Sequence, residues 1–162
     1  NRNKSYWNKT TKEKVMFALG DSVDTTMTDL EPVGLVVFDE TISSWVDDLD
    51  KFKSIKIAEL SSNCEADITG GFSSAALGSA HSYQSDRDDQ ANLIGMVAGG
   101  QSDVFKCFDG ISWDYRLHTA AQFLQVLNDG KTVKLAKLQL FNTKKNDVLA
   151  ATTKAEIEAI LW

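Results

Sequence analysis

The sequence is short of proline, cysteine and histidine. One proline and ten glycines among 162 residues argue against a long flexible linker and against a fibrous repeat. The two cysteines, Cys64 and Cys107, lie too far apart in sequence for a disulfide scaffold, so we expect buried free thiols. No run of eighteen apolar residues occurs, and membrane insertion is therefore not expected.

Basic charge is missing from one long stretch of the chain. Residues 15–50 contain no lysine or arginine but nine acidic side chains, and the signs mix again after Lys51. This shift predicts a domain boundary, which we place between residues 48 and 49. The net charge of −6 makes nucleic acid and anionic membranes poor partners for the whole chain.

The first part, residues 1–48, predicts a small antiparallel β module for attachment or interaction. Its apolar runs are short, rich in β-branched residues and separated by acidic turns such as Asp39-Glu40. The predicted strands are VMFAL (15–19), VGLVVF (33–38) and ISSWV (42–46), with another around Tyr6 and Trp7.

The second part, residues 49–162, predicts a mainly helical domain with one β-hairpin, so the fold class is α+β. Apolar side chains recur at helical spacing, and Asp109-Gly110 between two apolar runs predicts the hairpin. Residues 72–83 lack periodicity and predict a loop. The helices predicted are 47–69, Ser85 to Gly99, 116–129 and a last one opened by a capping box at Thr153–Glu156, while 131–142 fits either helix or strand.

The polar stretch SAHSYQSDRDDQANLIG, residues 79–95, could be a metal loop, a catalytic site or a device of the fold. Ser85 is placed to cap a helix, with Asp88 reaching back to complete a capping box. Asp86, Asp88 and Asp89 resemble a calcium loop only in composition, because the residue order of the EF-hand is absent. The sequence therefore predicts no metal site here.

No catalytic or cofactor-binding constellation assembles by spacing. Gly-Asp-Ser at 20–22 is similar to the nucleophile block of one esterase class, but the partner blocks of a triad are missing around His118. The two histidines, His81 and His118, and the two cysteines lack the close pairing of zinc ligands. We expect no catalytic residue, no metal and no cofactor.

Four motifs occur in order along residues 50–162. They are GGFSSAALGSAHSYQSDRDDQANLIG, FKCFDGISW, LHTAAQFLQVLNDG and ATTKAEIEAILW. In this order they resemble an uncharacterised domain family found at the C-terminal end of bacteriophage and prophage tail-region proteins. The matching positions are Gly71, Phe72, Tyr83, Asp86, Gln90, Asn92, His118, Thr119, Gln122 and Trp162.

The resemblance implies a structural role for these residues. Tyr83 would pack in the core, and Asp86 and Gln90 would tie their loop to the helix after His118. Residues 79–95 would then be a device of the fold, because a satisfied buried polar network specifies one arrangement.

The function implied is that of a non-enzymatic tail component of the virion: a tail-fibre, tail-tip or baseplate-associated part, structural or involved in host attachment. Its partners would be other tail proteins, further copies of itself and a host surface receptor. A tail-fibre assembly chaperone absent from the virion is one alternative, and a small glycan- or cell-wall-acting hydrolase is another. The aromatic residues expected at an interface are Tyr6, Trp7, Trp45 and Trp162.

Overall fold

A computed structural model of the protein describes residues 4–17, 22–23, 25–28 and 30–162. The strands are β1 (Lys4–Asn8), β2 (Lys14–Phe17), β3 (Met27–Thr28), β4 (Val36–Asp39), β5 (Ser44–Asp47), β6 (Phe72–Ser74), β7 (His81–Tyr83), β8 (Asp103–Phe108) and β9 (Trp113–His118). The helices are α1 (Leu49–Thr69), α2 (Arg87–Gly99), α3 (Ala120–Ala150) and α4 (Lys154–Ala159). The α+β class is therefore confirmed. No helix among the described residues has the length and apolar character that crossing a bilayer requires.

The chain divides into two compact units. The first runs to Lys56 and also includes Ala151–Ala159, and the second combines Ile57–Ala150 with Ile160–Trp162. This division falls inside α1. The domain boundary predicted between residues 48 and 49 stays a prediction.

The first unit contains the small antiparallel sheets expected from its sequence. β1 lies between β2 and β3, and β4 pairs with β5 as a hairpin in which Phe38 faces Trp45. Lys9 supports this hairpin, because its ammonium group lies 4.6 Å from the Phe38 ring centroid and 2.8 Å from a carboxylate oxygen of Glu40. The predicted strand 15–19 is confirmed to Phe17, and its last two residues lie outside the described part of the chain.

Helix α1 begins and ends close to the predicted limits of 47 and 69. The Asp48 carboxylate accepts the amide of Lys51 at 3.0 Å and so caps the first turn. At the other end Gly71 has a φ of 101° and its amide donates to the buried Ser85 hydroxyl at 2.9 Å. The chain can therefore leave α1 at an angle that a residue with a side chain would resist.

The predicted loop over residues 72–83 is wrong, because β6 and β7 form a hairpin there. With β8 and β9 they make a four-stranded antiparallel sheet, so the second unit holds more than the single hairpin expected. The alternation of inward and outward side chains in these two strands cannot be recognised from hydrophobicity, because polar residues occupy inward positions. Ser74 and His81 are both buried and opposite each other.

The cap of α2 is displaced by one residue from the expected position. Asp86, not Ser85, accepts the amide of Asp89 at 2.8 Å, and Asp89 accepts the amide of Asp86 at 3.3 Å. Ser85 instead donates to the carbonyl of Ile68 at 2.6 Å. The capping box is therefore built by Asp86 and Asp89, and Asp88 has no part in it.

Helix α3 starts later and runs further than the predicted segment 116–129. Residues 113–118 continue the sheet as β9, and the Thr119 hydroxyl then accepts the amide of Gln122 at 3.3 Å to cap the helix. The ambiguous residues 131–142 are helical, which gives α3 a length of 31 residues. The predicted capping box of the last helix is confirmed, since the Glu156 carboxylate and the Thr153 hydroxyl each accept the other's amide at 3.2 Å.

The core of the second unit lies between the sheet and helices α2 and α3. Its buried members come from the connection between β6 and β7, from β7 and β8, and from both helices. They are Ala76, Tyr83, Leu93, Cys107, Phe123 and Val126.

Gly71 offers a test of the α1–β6 corner. A Cβ at this position would lie 2.9 Å from the Tyr83 carbonyl oxygen, in addition to the strain of the positive φ. We expect Gly71→Ala to lower the free energy of unfolding by about 1–3 kcal/mol in urea denaturation. Gly78→Ala is the matched control, because its φ is 90° but nothing lies within 4 Å of the added carbon. Equal losses in the two variants would contradict the proposed close contact.

Candidate functional site

Tyr83 and His118 meet at the centre of the second unit. The tyrosine hydroxyl lies 2.9 Å from His118 Nε2, and His118 Nδ1 lies 2.8 Å from the carbonyl oxygen of Arg116. A carbonyl oxygen only accepts hydrogen bonds, so Nδ1 carries the ring proton and Nε2 accepts the proton of the hydroxyl. Both nitrogens of a neutral histidine are thereby satisfied.

Aromatic rings enclose this pair. Phe72 stacks on Tyr83 with centroids 5.7 Å apart, and Phe123 stacks on His118 at 5.1 Å. Phe105 meets His118 edge-on at 6.2 Å. Burial lowers the pKa of His118 and raises the pKa of Tyr83, so both side chains stay uncharged near neutral pH.

Arg116 fastens the turn between β8 and β9. Its guanidinium donates to the Cys107 carbonyl at 2.7 Å and to the Asp109 carboxylate at 2.5 Å. Asp109 also accepts the amides of Ile111 and Ser112, and these bonds, followed by the Arg116 charge, lower its pKa. The Cys107 thiol is fully buried and has no surface open to a substrate.

Gln90 connects α2 to its surroundings in two directions. Its amide nitrogen donates to the Ser85 carbonyl at 2.8 Å, and its oxygen accepts Lys134 of α3 at 3.0 Å. The expected tie from Gln90 to the helix after His118 is therefore present. Asp86 was expected to make the same tie, but its capping bonds lie within α2's own first turn with Asp89.

Trp162 joins the end of the chain to α1. Its indole N–H donates to the Asp67 carboxylate at 3.0 Å, and Lys137 donates to the same oxygen at 2.6 Å. The two donors, Lys137 first, lower the pKa of Asp67. Thr119 and Gln122 cap α3, so these family positions hold helix ends and helix pairs in place.

Asn92 is the exception among the family positions. It is exposed and lines a groove of about 650 Å³ between α2 and the β8–β9 strands, together with Asp89, Lys106 and Tyr115. Burial, followed by the negative charge of Asp86, raises the pKa of Asp89.

Among the residues that the structure describes, no group of His, Cys, Asp and Glu is arranged to hold a metal ion.

The aromatic residues predicted for an interface in the first unit are half-buried. Trp45 donates its indole N–H to the Leu30 carbonyl at 2.7 Å and packs edge-on against Phe38 at 5.2 Å. The Lys14 ammonium group lies 5.3 Å from the ring of Trp7, and Tyr6 pairs with Val15 across the β1–β2 ladder. Their role at an interface, like that of Trp162, stays a prediction.

The sequence did not reveal the most exposed apolar surface of the second unit. Cross-strand partners share a face of the sheet, and one face of β8–β9 is turned away from the core. Its pairs are Val104 with Leu117, Lys106 with Tyr115 and Phe108 with Trp113. We call these six residues the outer ladder.

The outer ladder is apolar and open to solvent. Tyr115 and Leu117 are each 66% exposed, and Val104 and Trp113 are exposed beside them. The Phe108 and Trp113 rings pack against each other at 5.5 Å. Exposed apolar surface of this kind is a candidate contact surface.

The edge of the sheet beside this face is protected. β9 is the outermost strand of the four, and the amide of Tyr115 is accepted at 2.8 Å by the carboxylate of the preceding Asp114. An edge amide held in this way is less available to an added strand, which blunts this part of the edge. The face of the sheet carries no such protection.

A signal for the outer ladder is present in the sequence WDYRLH. Trp113, Tyr115 and Leu117 alternate with polar or charged residues, which is the period of a strand. The helix predicted to begin at residue 116 placed Leu117 on a helical face. The alternation from Trp113 to Leu117 was therefore not recognised as one strand. Leu117 instead belongs to the ladder.

A domain of unknown function (DUF4376) matches residues 51–161. The match covers more than half of the chain, and the protein belongs to this family. Its uncharacterised status agrees with the family suggested by the sequence motifs. No curated protein and no solved structure matches the chain.

The Tyr83–His118 bond can be tested by removing one oxygen atom. Tyr83→Phe leaves His118 Nε2 buried without its donor, and we expect a loss of about 1–3 kcal/mol in the free energy of unfolding. Tyr115→Phe removes the same atom from an exposed ring and should change stability by less than about 0.5 kcal/mol. Urea denaturation of both variants measures the difference. Similar small changes in both would contradict a stabilising buried bond.

The lowered pKa of His118 predicts a dependence of stability on pH. Below the ordinary histidine pKa of about 6.5, the unfolded chain takes up a proton at this position before the folded chain does, so unfolding becomes easier. We expect the free energy of unfolding to fall from about pH 7.5 to 5.5. His118→Gln should flatten this decline. A wild-type protein equally stable across the window would contradict the prediction.

Proposed function

We propose that the protein is a non-enzymatic component of a bacteriophage tail, located in the virion, and that it acts through protein–protein contacts. The ordered motifs of residues 50–162 support this proposal through their resemblance to domains of phage tail-region proteins. The structural observation that carries it is the exposed outer ladder, because a surface of this composition is suited to binding another protein.

The family positions support a contact role by their placement. Tyr83 and His118 lie in the core, Thr119 and Gln122 cap α3, and Trp162 is bonded to α1. These residues therefore serve the fold, and the proposed function is carried by what the surface of the second unit presents.

The outer ladder has the composition of a binding centre. Tryptophan and tyrosine are the residues most enriched where interfaces hold their binding energy, and Trp113 and Tyr115 stand two residues apart on one strand. Covering apolar surface contributes about 25 cal/mol per Å². Lys106 stands opposite Tyr115 and gives the surface one positive charge. A partner with an apolar patch beside a carboxylate would complement it, and we propose another tail protein in this role.

Quantitative mass spectrometry of purified phage particles tests the location. A tail component gives peptides at a fixed copy number per particle, and tail symmetry makes that number a multiple of three or six. Absence from particles, with abundant protein in the lysate bound to fibre protein, would contradict the proposal and identify an assembly chaperone.

A variant tests whether the outer ladder makes the contact. We expect Tyr115→Ser combined with Leu117→Ser to fold normally, because both side chains are exposed, and to reduce incorporation into particles at least tenfold. Ile55→Ser is the matched control, since Ile55 is an exposed apolar residue in another part of the chain. Equal incorporation of the double variant and the control would exclude the ladder as the contact surface.

A further inference from the structure

Helix α3 has a second stripe, half leucine and half polar, besides the apolar one that packs in the core. Phe123, Val126 and Val148 are buried on the core side. The second stripe advances by alternating steps of four and three residues, which is the spacing of the core positions in a coiled coil. Its members are Leu124, Asn128, Lys131, Leu135, Leu138, Asn142, Lys145 and Leu149.

The stripe is open to solvent along its length. Two of its four leucines lie in the middle of the stripe and one lies at each end. All four are between 43% and 58% exposed. From Leu124 to Leu149 the helix rises about 38 Å, a length that suits helix pairing. The buried residues on the core side already hold α3 in its own chain. A second stripe with coiled-coil spacing over this distance is therefore not needed for that packing.

The order of residues in the stripe is symmetric about a point between residues 136 and 137. When the stripe is laid against a reversed copy of itself, Leu124 meets Leu149 and Leu135 meets Leu138. In the same alignment each lysine meets an asparagine. The pairs are Lys131 with Asn142 and Lys145 with Asn128.

We propose that this stripe is a self-association surface on which α3 of a second copy packs in the antiparallel direction. Leucine then covers leucine in four layers, and in the other four an asparagine oxygen can accept the lysine ammonium group. The contact has two-fold symmetry, as the interface of a closed dimer requires. The proposed function includes self-association, and the stripe on α3 is the surface that would make this contact. Only the biological setting of the dimer rests on the proposed function.

The charges of the stripe distinguish the antiparallel pair from the alternatives. In a parallel pair Lys131 would face Lys131 and Lys145 would face Lys145, and like charges at core positions destabilise a coiled coil. A purely apolar partner helix would leave both lysines desolvated without an acceptor. Since half of the layers are polar, the dimer is weak and its population depends on protein concentration.

Analytical ultracentrifugation of the full chain tests the proposal. The wild type should shift from a mass of 17.9 kDa toward twice that value as its concentration rises through roughly 0.01 to 1 mM. Leu135→Glu should remain monomeric, because the two-fold axis brings this position into the central layers. Leu140→Glu, an exposed leucine of α3 outside the stripe, should dimerise as the wild type does. A wild type monomeric at every concentration, or equal losses in both variants, would overturn the proposal.

Asn142→Asp tests the direction of packing. In the antiparallel pair the new carboxylate of each copy faces Lys131 of the other copy, so two ion pairs form. We expect dimerisation to strengthen by roughly threefold to tenfold. In a parallel pair it would face its own copy and weaken the dimer, which would overturn the proposed orientation. Circular dichroism confirms folding of each variant. If no dimer forms, the proposed tail role is still tested separately, by the copy number of the protein in purified particles.

Discussion

The hydrogen bond between the Tyr83 hydroxyl and His118 holds the second unit in one arrangement. It joins β7 to the end of β9 inside a shell of phenylalanine rings, and it requires histidine to be neutral with its proton on Nδ1. A buried polar pair tolerates few alternatives, because any shift of either strand leaves a donor or acceptor unsatisfied. The bond therefore fixes β7 relative to the end of β9, directly before the start of α3.

Fold and binding are thus separated within the second unit. Apart from the exposed Asn92, the positions that carry the family resemblance face inward or fix helix ends, while the apolar residues proposed to bind partners lie on the outer ladder and on the second stripe of α3. These two surfaces differ in character. The ladder is aromatic and carries a single lysine, which suits a different protein, whereas the stripe is complementary to its own reverse. The two proposed contacts therefore use different residues of one chain.

Local signals allowed much of the fold to be predicted from sequence. Helix α1, the turn at Asp109-Gly110 and the last capping box depend on neighbouring residues, and each is found where expected. The β6–β7 hairpin was missed because its inward positions hold the polar residues Ser74 and His81, and the Ser74 hydroxyl bonds to Asp129, which is distant in sequence. The outer ladder was missed for a related reason, since pairing with β8 overrides the helical spacing that continues from 116. The spacing of apolar residues alone did not assign these residues to strands, although the Asp109-Gly110 turn predicted the β8–β9 connection.

The carboxylate of Asp114 has a consequence for assembly. By holding the Tyr115 amide, it removes one donor from the outer edge of β9 and makes pairing with a strand of another chain less favourable. Growth by strand addition has no natural end and leads to fibres, whereas contacts made through a two-fold stripe and a compact face close after a set number of subunits. Blunting one edge of the sheet in this way favours contacts that close over contacts that extend without limit, and geometry then sets the number of copies.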